Sequence, residues 1–179
     1  ERLPDVHQRV SVEALAAVQA LVEGHAEAPA LQPRLGPLLV ALFHRLGDKR
    51  QPVRERSNTL LNTVRLEFAP VAVVAALSPR VLDLPERTKT AVLQFLCVTA
   101  PHCGQYFEEG KNTWAFLGRM ACVLGALGTK PSAALHAAGS RLLELVYNTA
   151  PTVVPMQLSL LPLGQQQLLK RLLEASVPD

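Results

Sequence analysis

The sequence predicts an all-α fold in which about four to five helix pairs stack side by side as an α-solenoid. Apolar residues recur at helical spacing along most of the 179 residues. Leu and Ala are abundant, and aromatic residues make up only 4% of the chain, a composition that favours packed helices over a β-sandwich or barrel. In addition, three prolines each stand at the start of an expected helix, directly after a short turn.

The first complete helix pair is predicted over residues 34–64. Apolar residues from Leu35 to Leu46 follow the i, i+3, i+4, i+7 pattern of one helix face. A polar turn follows, and Pro52 is expected to open the second helix, because the N–H that proline lacks would have no partner at a first helical position. Asp48 lies just before this helix, where its carboxylate can accept hydrogen bonds from free N–H groups.

The same arrangement recurs twice further along the chain. Residues 70–77 precede a helix led by Pro85, and residues 112–127 precede a helix led by Pro131. The apolar run at 71–77 is short enough for a strand, but its place as the first member of a pair favours a helix. The prolines stand 33 and 46 residues apart, which fits helix-pair repeats of the HEAT or armadillo type, with periods of about 40 to 47 residues.

Three further expectations concern the segments outside these pairs. Ser11 is predicted to cap a helix over residues 12–27, and residues 101–110 are predicted to form a loop. Residues 152–175 begin with a proline-interrupted stretch and end with a helix that caps the stack. Because the chain begins at Glu1 without Met, we expect it to be a fragment of a larger multidomain protein.

Composition and charge narrow the classes of partner. The net charge of +3 is mildly basic, which argues against a nucleic-acid-binding protein and is compatible with an acidic protein partner. The densest apolar run has seven residues, far fewer than the roughly 18 that a membrane span needs. We therefore expect a protein partner, with no nucleic acid and no membrane.

The chain shows no constellation of residues that carries chemistry. The five histidines are scattered, and the three cysteines have spacings of 6 and 19 that match no zinc motif. Glycines are isolated and form no phosphate-binding loop. The sequence therefore predicts no catalytic residue, no metal and no cofactor, and its cysteines are expected to be buried, reduced thiols of a cytosolic protein. Trp114 is expected to pack in the core or between repeats, with an exposed anchor as the alternative.

The turns between paired helices are the predicted partner-binding site. In a stacked solenoid, equivalent turns come to lie along one edge, where their charged residues form a continuous surface. The candidate residues on this edge are Asp48, Lys49, Arg50, Arg54, Arg87, Lys89 and Lys130. The alternative is that these are solvated helix starts with internal ion pairs, in which Arg54 bridges to a neighbouring repeat.

Two segments resemble a known family. Residues 38–61 read LLVALFHRLGDKRQPVRERSNTLL, which resembles the signature of a TOG domain: an apolar helix that ends in Leu-Gly-Asp, a polar turn, and Val-Arg-Glu at the start of the next helix. The stretch from Ala137 to Leu173, with Asn-Thr-Ala-Pro at 148–151 and Leu-Leu-Pro-Leu at 160–163, is similar to the end of a later TOG domain of the CLASP family.

This resemblance implies a single TOG-like domain over residues 1–179, built as a HEAT-repeat paddle that binds αβ-tubulin or microtubules. It implies a cytoplasmic, cytoskeletal protein on microtubules, at the spindle or at the kinetochore. The turn positions Asp48, Lys49 and Arg50, with Arg54 just inside the helix, match the family, whereas Arg87, Lys89 and Lys130 correspond by architecture only.

A second hypothesis is a HEAT-repeat scaffold for a cytoskeletal adaptor protein, without tubulin contact. TOG domains often place an aromatic residue in their first turn, and none is identified here before Ser11. This hypothesis predicts an apolar or mixed patch away from the turns, near Trp114 and Phe116. An enzyme of another class has no supporting feature in the sequence.

Overall fold

A computed structural model describes residues 8–26, 28–125 and 132–174 of the chain, and within these ranges the protein is all-helical, with no strand. The α-helices are α1 (Gln8–His25), α2 (Leu35–Arg45), α3 (Gln51–Glu67), α4 (Pro70–Leu77), α5 (Glu86–Thr99), α6 (Gly104–Glu108), α7 (Gly110–Leu124), α8 (Ala133–Thr149), α9 (Val153–Ser159) and α10 (Leu163–Glu174). Short 3₁₀ helices cover Gln32–Arg34, Ser78–Asp83 and Ala100–His102. Across the described residues, none of the helices combines the length and apolar character that a membrane span requires.

The chain divides into two compact units, Glu1–Leu77 and Ser78–Asp179. In unit 1, α3 packs against both α1 and α2, and α4 packs against α2. The apolar face that the sequence predicts for α2 is buried here, with Leu39, Leu42 and Phe43 almost wholly inaccessible to solvent. Val53, Leu60 and Val64 of α3 are equally buried, so each helix of this hairpin covers the apolar face of the other.

Unit 2 contains helices α5 to α10. Helix α5 packs against α8, and α7 packs against α9 and against the 3₁₀ helix at Ser78–Asp83. Helix α10 lies on α7 and α8. Phe107 and Phe116 are both buried and meet edge to face, with ring centroids 5.2 Å apart. Their contact joins α6 to the inner face of α7.

Most of the predicted helices are confirmed. Residues 70–77 are helical and not a strand, and Pro52 is the second residue of α3. Pro85 stands immediately before α5, whereas Pro131 lies outside the described residues. Helix α8 instead has Ser132 as its N-cap, whose Oγ accepts a hydrogen bond from the N–H of Leu135 at 3.2 Å.

Two local predictions are wrong. Ser11 does not cap α1, because the helix already begins at Gln8 and the buried Ser11 is part of it; an N-cap residue needs a non-helical backbone. The expected loop at 101–110 contains the short helix α6, which buries Tyr106 and Phe107. The pairing of α4 with α5 spans the two units and stays a prediction, as does a single domain over the whole chain.

Candidate partner-binding sites

The turn between α2 and α3 is organised around the carboxylate of Asp48. Its Oδ1 accepts a hydrogen bond from the N–H of Arg50 at 2.9 Å, just before α3 begins. The Arg50 side chain donates from Nε to Oδ1 and from Nη2 to Oδ2, both at 2.9 Å. Arg45 Nη1, from the last residue of α2, lies 3.4 Å from Oδ2. The expectation that Asp48 would accept a free N–H at this helix start is therefore confirmed.

Arg54 completes the same turn from inside α3. Its Nη1 donates to the carbonyl oxygens of Asp48 and Lys49, at 2.8 and 2.9 Å. Both bonds stay within its own turn, whereas the alternative had Arg54 bridge to a neighbouring repeat. Three arginines thus hold one short turn, through a two-pronged carboxylate pair and through main-chain carbonyls.

The electrostatics of this cluster keep its members charged. Hydrogen bonds from the Arg50 guanidinium, and from the Arg50 backbone N–H, hold the pKa of the Asp48 carboxyl well below its usual range. Asp48 in turn raises the pKa of Arg50. Lys49 extends into solvent at the tip of the turn. The turn therefore presents Lys49 from a fixed backbone, while Arg50 and Arg54 are engaged within it.

The remaining predicted site residues lie elsewhere. Arg87 is exposed in the first turn of α5, and Lys89 is half-buried in the same turn; both belong to unit 2. Lys130 lies outside the described residues. Asp48, Lys49, Arg50 and Arg54 come together at one turn of unit 1, and the edge that would join them to the others stays a prediction.

A second surface, in unit 2, lies on the outer face of α7. An open groove of about 330 Å³ is lined by Trp114, Ala115, Gly118, Arg119, Cys122, Leu161, Pro162 and Gln165. The first five come from α7, and the others come from the α9–α10 connection and α10. Gln165 Nε2 lies 3.9 Å from the Cys122 sulfur. We call this feature the α7 groove.

The α7 groove corrects the expectation for Trp114. Its side chain is 46% exposed, whereas Phe116 is buried. Helical spacing contained the signal for this difference: Trp114, Gly118 and Cys122 recur every four residues on one face, and the buried residues Phe116 and Met120 occupy the other. Trp114 is exposed, as the alternative expected, and its role as an anchor stays a prediction. Leu161 and Pro162 were not among the predicted site residues.

The cysteines differ in their surroundings. All three are free; Cys103 is buried, Cys97 is half-buried, and Cys122 is exposed in the α7 groove. Burial raises the pKa of Cys97, and it raises the pKa of Cys103 to about 11. The expectation of buried thiols is therefore wrong for Cys122. Over the described ranges, no group of three or more His, Cys, Asp or Glu residues is placed to hold a metal ion.

No protein-family model matches this chain, and a search of curated proteins gives no match either. The resemblance to TOG domains therefore depends on the two sequence segments themselves and on the helical hairpin that the first of them forms.

Proposed function

We propose that this chain is a TOG-like domain of HEAT-type helix pairs, similar to the later TOG domains of the CLASP family, and that it binds αβ-tubulin or the microtubule lattice without catalysing a reaction. The observation that carries the proposal is the α2–α3 turn. The segment that resembles a TOG domain forms a helical hairpin, and Asp48, Arg50 and Arg54 fix the turn that displays Lys49.

A fixed turn favours this function for a physical reason. Tubulin is acidic, and cations at the rim of an interface accelerate encounter and set orientation more than they add affinity. Each exposed ion pair contributes only about 0.2–1 kcal/mol, so several turns must act together. A turn whose backbone is already ordered loses little conformational entropy when it docks.

We also propose how the helix pairs are arranged. The helix pairs would stack as one α-solenoid, so that Lys49, Arg87, Lys89 and Lys130 share an edge. The protein would then act in the cytoplasm as part of the microtubule cytoskeleton, including the spindle or the kinetochore.

The experiment is microtubule co-sedimentation of a double variant, Lys49→Glu with Arg87→Glu, over a range of salt concentrations. Both side chains are exposed, so their reversal leaves the core intact. Arg50 is left unchanged because its replacement would disrupt the Asp48 cluster. We expect binding to weaken severalfold and its salt dependence to flatten.

The matched control is Arg34→Glu with Lys170→Glu, which has the same net charge change at two other exposed positions. It should sediment like the wild type. Equal affinities for wild type, double variant and control would remove the turn from the proposed tubulin contact.

The α7 groove supports a second candidate function, a scaffold that binds a cytoskeletal adaptor protein without touching tubulin. A half-exposed Trp beside an apolar groove is typical of a binding anchor. This function requires that a purified adaptor remain bound to the Lys49→Glu, Arg87→Glu variant and be lost from Trp114→Ala. The opposite pattern would exclude it.

A further inference from the structure

The outer face of α7 combines apolar surface with positive charge, and helix α7 itself contains no Asp or Glu. Helix α7 contains two charged residues, Lys111 and Arg119, and both lie within the same helical arc as Trp114 and Cys122. Residues 153–169, which contain α9 and the other side of the α7 groove, contain no Asp, Glu, Lys or Arg. The groove is therefore apolar and basic.

Arg119 has no acidic partner in the described part of the chain. It is half-buried on the groove lining, and its Nη1 makes one long hydrogen bond, 3.4 Å, to the neutral Oγ of Ser78. The acidic residues closest in sequence, Glu108 and Glu109, precede α7, and Glu109 accepts a hydrogen bond from Asn112 Nδ2 at 2.9 Å. A guanidinium beside apolar surface binds a carboxylate more strongly than one in open water does.

We infer that the α7 groove binds an amphipathic segment of a partner protein, whose apolar side chains contact Trp114 and Pro162 and whose carboxylate pairs with Arg119. This inference rests on the second candidate function above and specifies the chemistry of the partner. Binding of an amphipathic helix in a groove follows the usual division of roles, in which apolar anchors give affinity and the charge gives register.

The charges on this face favour such a segment over other occupants. A second copy of the chain, docked by the same face, would bring two basic surfaces together, which costs binding energy. An anionic membrane is recognised by clusters of about four to eight cations, whereas helix α7 contributes two, Lys111 and Arg119. A carboxylate within an apolar segment fits both the groove and its single lining cation.

The experiment uses a displayed library of amphipathic helical peptides, selected on the whole chain and counter-selected on Trp114→Ala. We expect the recovered peptides to share apolar residues at helical spacing with an Asp or Glu beside them. Because Trp114 is the only tryptophan, its fluorescence reports binding directly. Bound peptide should also protect the exposed thiol of Cys122 from alkylation.

A charge exchange makes the test specific. Arg119→Glu should bind the selected peptide about tenfold more weakly, and a peptide with Lys in place of its acidic residue should regain affinity for this variant. Lys170→Glu is the control and should bind like the wild type. Circular dichroism checks the folding of each variant, and Cys122 protection in the unaltered chain gives a measurement that needs no variant.

Several results would overturn the inference. These are recovery of no peptide, recovery of peptides without a shared carboxylate, or equal affinity of wild type and Arg119→Glu. Binding of phosphatidylserine vesicles that depends on Arg119, without peptide enrichment, would assign the groove to a membrane instead. None of these results bears on adaptor binding by another surface or on microtubule co-sedimentation, which have their own assays.

Discussion

The α2–α3 turn and the α7 groove are opposite kinds of surface. The turn is polar, and its carboxylate, two of its arginines and its carbonyl groups satisfy one another within a few residues. The groove is apolar, and its cation pairs with no carboxylate of the described chain. The number of charged residues in a sequence is therefore a poor measure of the charge available to a partner, because some charged side chains are engaged in hydrogen bonds within the protein.

The same comparison separates the two candidate functions. A braced turn with one exposed lysine suits a weak, repeated electrostatic contact, as proposed for tubulin. A groove with an exposed tryptophan suits a single anchored contact. The following substitutions, and a change of pH, test whether Asp48 stabilises the turn and whether the α7 groove is an open surface.

The largest expected effect separates the two faces of α7. Phe116→Ala removes a buried ring that packs edge to face on Phe107 and should lower the free energy of unfolding by about 3–5 kcal/mol. Trp114→Ala, two residues earlier on the exposed face, should cost about 1 kcal/mol or less. Urea unfolding measures both, and similar losses would mean that the outer face is packed and no groove is open.

The next largest effect is expected from the hydrogen bonds by which Asp48 stabilises the α2–α3 turn. Asp48→Ala removes the acceptor of the Arg50 pair and of the Arg50 N–H, and we expect a loss of about 1–2 kcal/mol in the free energy of unfolding. Lys49→Ala is the neighbouring control and should change it by less than about 0.5 kcal/mol. A loss at Lys49 as large as that at Asp48 would show that the lysine, too, is engaged in the fold.

Acid should remove the same stabilisation. Arg50 lowers the pKa of Asp48 in the folded chain, so the folded state favours the carboxylate relative to the unfolded state, in which the pKa is about 3.9. The contribution of the Asp48–Arg50 pair to the free energy of unfolding is fully present above that pH and is lost as the pH falls below it. The difference in unfolding free energy between wild type and Asp48→Ala should therefore narrow from about pH 5 to about pH 2, and a constant difference would contradict the assigned pair.

The smallest expected effect uses two glycines on opposite sides of α7: Gly139 of α8, which faces the end of α7, and Gly118 on the outer face of α7 itself. A Cβ at Gly139 in α8 would lie 2.5 Å from Leu124 Cδ2 at the end of α7, so Gly139→Ala should lose about 1 kcal/mol net of its gain in helix propensity. A Cβ at Gly118 on the groove floor would meet Leu161 at an ordinary 3.7 Å. Gly118→Ala should therefore gain about 0.5–1 kcal/mol, and thermal unfolding of both variants would show whether the two effects have opposite signs.

Periodicity predicted the helices and most buried faces because it depends only on residue spacing. Leu39, Leu42 and Phe43 are buried as their spacing predicts, and Pro52 and Pro85 mark the starts of α3 and α5. Ser11 failed as a cap because nothing between Gln8 and Ser11 breaks the helix, so a good capping residue alone did not fix the start. Helix α6 was not predicted, because its apolar residues, Tyr106 and Phe107, form too short a segment for helical periodicity to be recognised.

The sequence by itself determined an all-helical chain, its principal helices and a mildly basic charge, since propensity, spacing and composition are local properties. Only the tertiary structure decided which cations Asp48 and the turn carbonyls would engage, because that depends on the positions of side chains from two helices. It also decided that the Trp114 face of α7 would meet the α9–α10 connection and the start of α10 and still leave Trp114 exposed. Whether an apolar face is covered depends on which helices pack against it, and the spacing within one helix does not contain that information.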